Sequence, residues 1–251
     1  MIAINTIHNI DCLEGLKLVD DNTVDLVVTS PPYNNYRNRR VQAKKQEYWD
    51  RTNIQYGTYD DKMDEQEYQE WQIKLINELV RVIKPTGTIC YNHKDRIHNF
   101  EVITPLSWIL KTNAKLRQRI TWDRRGMQAF NNVRFYRVEE DIYILGKSPQ
   151  FKWNNECASF LSIWRMLPDR EDNGVLATFP LELPSRCISA FTNENDLVLD
   201  PFSGSGTTLV AAKKLRRQFI GFEKNPQYVQ SIKQRIEKVN VPTKVFGGMF
   251  K

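Results

Sequence analysis

Four consecutive residues, Ser30, Pro31, Pro32 and Tyr33, place two oxygen acceptors and an aromatic face in a stretch too stiff to rearrange. The Ser30 hydroxyl and the Pro31 carbonyl both accept hydrogen bonds, and the prolines bring no N–H to compete for them. Such a pair suits one demanding task. The exocyclic amine of a nucleobase is a poor nucleophile because its lone pair is delocalised into the ring. Acceptors held on either side of the NH2 favour its pyramidal form and release that lone pair. Tyr33 adds a π-face on which an extruded base can stack. A role as a simple strand terminator would explain the prolines but not their neighbours.

A second group stands far along the chain. The apolar run Leu197-Val-Leu199 enters Asp200-Pro-Phe202-Ser203-Gly204-Ser205-Gly206, and the run Phe219-Ile-Gly-Phe222 ends at Glu223, 19 positions after Gly204. Strand, glycine turn, helix, strand and acid in this order can hold a nucleotide-like ribose, the carboxylate accepting from its hydroxyls. The glycines allow backbone to approach a ligand closely, and Thr207 and Thr208 are expected to cap the helix that follows. A dinucleotide fingerprint needs a third glycine where Leu209 stands, which disfavours a nicotinamide enzyme. By itself the turn is also consistent with an ordinary strand-to-helix connection.

These groups require a frame. Val24-Asp-Leu-Val-Val28 reads as a buried strand that ends at Ser30, because two prolines cannot continue a ladder. Trp71, Leu75, Leu79 and Val82 follow helical spacing, and Lys84-Pro-Thr-Gly87 should stop that helix before a strand over Thr88–Tyr91. A further helix-strand unit is expected over 102–110 and 116–122, and another strand over 141–145. From 34 to 59 periodicity is lost in a basic and aromatic loop. Near 148–175 the pattern weakens again, as in a small insertion.

With the frame in place, the chain resembles the amino-methyltransferases of DNA, which transfer a methyl group from S-adenosylmethionine to cytosine N4 or adenine N6. Thr29-Ser-Pro-Pro-Tyr33 resembles their catalytic motif and Asp200-Pro-Phe-Ser-Gly-Ser-Gly-Thr207 their cofactor motif. Catalytic motif first and glycine motif last is the permuted order of the β class. The resemblance implies an α/β fold with a doubly wound, mainly parallel seven-stranded sheet and one reversed strand, in a single methyltransferase domain over 1–251. It also implies S-adenosylmethionine as cofactor, held by Asp11 and Cys12, by Pro180 in the segment Ala177–Pro184, by Asp200, Phe202, Ser203, Gly204, Ser205, Gly206, Thr207 and Thr208, and by Glu223. The catalytic residues would be Ser30, Pro31, Pro32 and Tyr33. Ser in the first place of that motif leans toward cytosine N4, while Ile120–Gly126 resembles segments of adenine-modifying members. Double-stranded DNA is the implied partner, with a homodimer and a cognate restriction endonuclease as further expectations.

Composition agrees with an enzyme that meets DNA. The chain has 251 residues, 41% of them hydrophobic, enough to build a core and to exclude wholesale disorder. Its net charge of +6 is too small for purely electrostatic binding, but it is clustered. Residues 111–137 carry +7, including Arg117, Arg119, Arg124 and Arg125, and residues 37–51 carry +4, including Arg37, Arg39, Arg40, Lys44 and Lys45. We expect both clusters to track phosphates. The four cysteines lack zinc-ligand spacing, and Cys12 and Cys90 read as packing residues. With no signal-peptide pattern and no long apolar run, a soluble cytoplasmic protein is expected. A non-catalytic nucleic-acid-binding module is the rival class, and two intact motifs argue against it.

Overall fold

The computed structural model of the chain describes residues 2–34, 63–125, 135, 137–169 and 179–241. Ten strands are formed among them: β1 Thr6–Asn9, β2 Val24–Thr29, β3 Ile83–His93, β4 Arg96–His98, β5 Glu101–Ile103, β6 Lys115–Asp123, β7 Glu139–Gly146, β8 Ile163–Arg165, β9 Leu197–Asp200 and β10 Gln218–Glu223. Six α-helices accompany them: α1 Cys12–Lys17, α2 Glu65–Val82, α3 Leu106–Ile109, α4 Glu182–Phe191, α5 Thr207–Lys214 and α6 Pro226–Glu237. The main sheet has the order β1-β10-β9-β2-β3-β7-β6-β8, and β4 pairs with β5 in a separate hairpin.

Strands β1, β10, β9, β2 and β3 are mutually parallel, and only β7 runs against both of its neighbours. The doubly wound, mainly parallel sheet with one reversed strand is thus present. The expected count of seven is exceeded by β8, a three-residue strand from the 148–175 stretch that adds to the edge of the main sheet beside β6. The rest of the expected 34–59 loop after Asn34, and 170–175 of the expected insertion, lie outside the described residues.

Central β2 is buried at every position, which is why its sequence is a nearly continuous apolar run. Its side chains feed two cores. Leu26 and Val28 join the core under α4, α5 and α6, while Val24 and Val27 join the one under α1, α2 and α3. Helix α2 starts where the Asp64 carboxylate accepts from the Gln66 and Glu67 N–H groups, and it buries Tyr68, Gln72, Leu75, Ile76 and Leu79 along one face. It ends at Val82, directly before an extended Ile83. Pro85 disfavours helix at the residue before it, so the chain passes straight into β3 without the separate stop expected at 84–87. The expected 102–110 unit is also smaller than anticipated, comprising hairpin strand β5 and one helical turn, α3.

At the end of the sheet opposite the prolines, Asp25 is 3% exposed and bonded to Lys84 (2.7 Å), Lys152 (2.8 Å) and the Leu197 N–H (3.0 Å). Burial alone would raise its pKa, but the bonds from Lys152, Lys84 and Leu197 hold it below the usual value. A depressed carboxylate pKa contributes stability above the unfolded value of 3.8 that is lost as pH falls through the folded one. We therefore expect Asp25→Ala to cost about 2–3 kcal/mol at pH 7, below the usual range for a buried pair because both lysines are about a third exposed. Urea unfolding should also show a flatter acid limb. An unchanged midpoint in urea would refute the assignment.

Candidate active site

Sheet order explains how motifs 170 residues apart meet. From β2 the chain crosses to β3 on one side, and from β9 it crosses to β10 on the other, so β2 and β9 flank the point where the winding reverses. A crevice opens there at the carboxyl ends of the strands, and ligands of open α/β sheets bind in such crevices. Ser30 follows β2 and the Asp200–Gly206 turn follows β9. Asp200, 1% exposed, ties the two together: its Oδ1 accepts from the Thr29 hydroxyl (3.0 Å) and from the Phe202 N–H (3.1 Å). Burial raises its pKa to about 6, against opposing bonds from Thr208, Phe202 and Thr29.

On the β9 side, Gly204 and Gly206 have φ of +50° and +80°, a backbone region that disfavours side chains. A Cβ at Gly206 would strike Ile232 at 2.8 Å, whereas one at Gly204 would meet nothing nearer than 3.8 Å, so space lies open beside Gly204. Glu223 braces this turn, Oε2 accepting from the Gly204 N–H (2.9 Å) and Oε1 from the Asn225 N–H (2.8 Å). Burial raises its pKa. Because β1 pairs with β10, Asp11 arrives at the next strand end, where it caps α1 through the Leu13 N–H and lies 3.9 Å from Lys224. The residues present thus fit a nucleoside held between Asp11, Gly204 and Glu223.

Several expectations change at closer range. Thr207 and Thr208 do not cap α5; its N-cap is Gly206, without a side-chain bond, which leaves the first N–H groups of the helix for a ligand. Thr207 instead contacts Ser205 (2.9 Å) and Arg235 (3.1 Å), and Ser203 bonds the Asp200 carbonyl. Phe202 packs edge-on to Trp71 at 5.8 Å. Cys12 is buried in the core rather than presented to the crevice. Pro180 stands just before α4, its carbonyl accepting from the Leu183 N–H.

The Ser30–Tyr33 loop sits in a polar network that no local run of sequence revealed. Ser30 Oγ lies 2.8 Å from Tyr33 Oη, which is also 2.9 Å from Glu140 Oε2 and 3.1 Å from Asn92 Oδ1. Tyrosine has one proton to give, and the charged carboxylate is the stronger acceptor. Tyr33 therefore donates to Glu140, and Ser30 donates to Tyr33. Ser30 is left with lone pairs to accept from an incoming amine. Arg124 closes the chain with a 2.9 Å ion pair to Glu140. Burial, and Glu140 next to it, push the Tyr33 pKa far up, so the phenol stays protonated.

Tyr68 holds the other half of the loop. Its hydroxyl donates to the Pro32 carbonyl (2.6 Å), receives Gln72 Nε2–H (2.7 Å) and lies 2.8 Å from His93 Nε2. Burial lowers the His93 pKa to about 3, so the ring is neutral, and its Nδ1 lies 2.8 Å from both the N–H and the carbonyl oxygen of Lys94. The His93 ring packs on Tyr33 with centroids 4.5 Å apart. Among the described residues no donor reaches the Pro31 carbonyl. The acceptor pair Ser30 Oγ and Pro31 O is thus available while their neighbours are pinned.

The basic cluster divides. Arg117 is not part of the site: it lies at the other end of the sheet, donating to the Thr88 hydroxyl and to the Ser148 and Gln150 carbonyls. Arg124 serves Glu140. Arg119 is mostly exposed with a 3.8 Å approach to Asp141, and Arg125 is exposed just beyond β6 at the end of the sheet that carries Ser30. Arg37, Arg39, Arg40, Lys44 and Lys45 lie outside the described residues.

Comparison with known proteins agrees with this geometry. The model of the N6/N4 DNA methylase family matches residues 24–234. The type II methyltransferase M.BglII of Bacillus subtilis is 29% identical over 90% of this chain and 67% of its own. M.HpaI of Haemophilus parainfluenzae is 28% identical over 90% of this chain and 72% of its own. In fold, the PvuII cytosine-N4-specific DNA methyltransferase superposes with a TM-score of 0.74 over 98% of this chain and 90% of its own at 18% identity. A Thermus thermophilus protein, described as a putative DNA modification methylase and complexed with S-adenosyl-L-methionine, superposes at 0.66 with 24% identity over 95% of both chains. A match spanning both motifs, on a sheet that brings them together, shows that the chain belongs to the family of S-adenosylmethionine-dependent N6/N4 DNA methylases.

Proposed function

We infer that the protein methylates cytosine N4 at a specific site in double-stranded DNA. The observation that supports methylation of an exocyclic amine, on either base, is the acceptor pair at Ser30 and Pro31, with the Ser30 proton turned away toward Tyr33. An exocyclic amine approaching this pair donates both hydrogens, and its lone pair turns toward the crevice between β2 and β9. When bound there, S-adenosylmethionine supplies an electrophilic methyl on a cationic sulfonium. Asp11, Gly204 and Glu223 would hold its nucleoside. The choice of base rests on the resemblance, in which Ser at the place of Ser30 is usual for cytosine-N4 members and Asp or Asn for adenine members. No covalent enzyme intermediate is required, and all four cysteines are buried.

Flipping of the target base, phosphate contacts from exposed Arg119 and Arg125, and a short recognition element within 148–175 complete the proposal. Adenine N6 is the second reading, favoured by the likeness of Ile120–Gly126 to adenine-modifying members. The test is direct. Mixed-sequence duplex DNA is methylated with labelled S-adenosylmethionine and digested to nucleosides, and the labelled nucleoside is identified by chromatography and mass. Label in N4-methylcytosine supports the proposal; label in N6-methyladenine replaces it with the second reading. Sequencing of the labelled DNA then gives the site.

A further inference from the structure

Shortly after Asn92 and His93 at the end of β3 the chain makes the β4-β5 hairpin, whose two-residue turn is Asn99-Phe100. Both turn residues are left-handed, with φ of +47° and +67°. A turn of this kind favours Asn then Gly, and phenylalanine in the second place is strained. Phe100 is also 99% exposed, so no packing among the described residues compensates for the strain. Beside it the cross-strand pair Ile97 and Val102 is 42% and 64% exposed. The tip is therefore an apolar point held in a conformation its sequence resists.

The base of the hairpin is rigid. Arg96, 5% exposed, makes a two-pronged ion pair with Glu65 (2.7 and 2.8 Å), stacks on Tyr68 at 4.6 Å, and donates to the Asn34 carbonyl next to Tyr33 (3.3 Å). Lys94, two residues earlier, places its Nζ 5.1 Å from the Tyr33 ring centre. Six residues of extended chain reach at most about 20 Å, so the tip stays within that distance of Lys94 and the Tyr33 ring.

We propose that Phe100 is a wedge that enters the DNA base stack beside the flipped nucleotide and occupies the gap it leaves. This rests on the DNA-methylation reading above. Stacked bases are the partner that a single rigid aromatic tip fits, and apolar wedges are used this way against DNA. A second copy of the chain is a poorer occupant, because three apolar side chains fall well short of the roughly 800 Å² per partner that a stable interface buries. The base of the hairpin contacts Tyr33 and Asn34, so DNA held at that loop under the reading above is the partner within its reach.

The test compares Phe100→Gly and Phe100→Trp with the parent in single-turnover methylation of two substrates, a fully paired duplex with the recognised site and the same duplex with the target base mismatched. Phe100→Gly should raise the thermal midpoint, since glycine suits the turn, yet slow methylation of the paired duplex about tenfold to hundredfold. On the mismatch, already easy to flip, it should match the parent, and Phe100→Trp should retain activity on both. Equal slowing on both substrates, or no slowing on the paired duplex, would overturn the wedge. A change in oligomeric state with normal methylation would assign the tip to a second copy instead. If the parent methylates neither substrate, the methylation reading fails and takes the wedge with it.

Discussion

Replacing Tyr33 with alanine should slow methyl transfer by about 10³-fold while leaving cofactor affinity within about twofold. Two losses combine in that variant. The ring that packs on His93 is gone, and so is the hydroxyl that receives the Ser30 proton and donates its own to Glu140. Without it the Ser30 hydroxyl can rotate to donate, which turns an acceptor for the substrate amine into a competitor. Tyr33→Phe isolates the second loss and should slow transfer by about 10–10²-fold. Glu140→Gln should act at the same link, because an amide can present a donor where the carboxylate only accepts. If both act through the Ser30 proton, the double variant should be little worse than either alone. Additive effects would break the proposed chain. The Tyr33 pKa stays well above neutrality, so these changes should lower the rate without introducing a new ionisation between about pH 6 and 9.

Cofactor binding should depend most on Glu223. Glu223→Ala removes a carboxylate that fixes the Gly204 turn and stands where a ribose would be held, and should weaken S-adenosylmethionine binding by about 10²-fold in calorimetry. Glu223→Gln keeps one acceptor oxygen where the carboxylate uses two, for Gly204 and Asn225, and should cost about tenfold. At saturating cofactor both variants should transfer methyl at rates near the parent's, a split opposite to that of Tyr33. Burial raises the Glu223 pKa and ribose binding uses the charged form, so affinity should decline on acidification at a higher pH than an ordinary glutamate would give. Unchanged affinity in Glu223→Ala would remove it from the cofactor site.

The chemistry visible along the chain was local chemistry. Ser30–Tyr33 announced itself because prolines stop a strand and leave their carbonyls free, and the glycine turn because left-handed backbone at Gly204 and Gly206 admits few other residues. The β2, β9 and β10 strands and helix α2 were likewise readable from apolar spacing. Arg117 misled, because a cluster of charges in sequence alternates between the ends and faces of a strand once folded. Arg117 holds carbonyls at one end of the sheet while Arg125 stands exposed at the other.

What the chain alone determined, then, was the pair of motifs and the kind of frame they need. Tertiary structure alone decided which residues complete them. Glu140 carries no signal in its own neighbourhood and lies 107 positions from Tyr33. It reaches the site because β7 is the reversed strand, so its first residues, not its last, lie beside the carboxyl end of β3. The same crossing of directions brings Asn92 and Arg124 to one network around the Tyr33 hydroxyl. Strand direction is set by how the whole sheet closes its two cores, and no local run of residues encodes it.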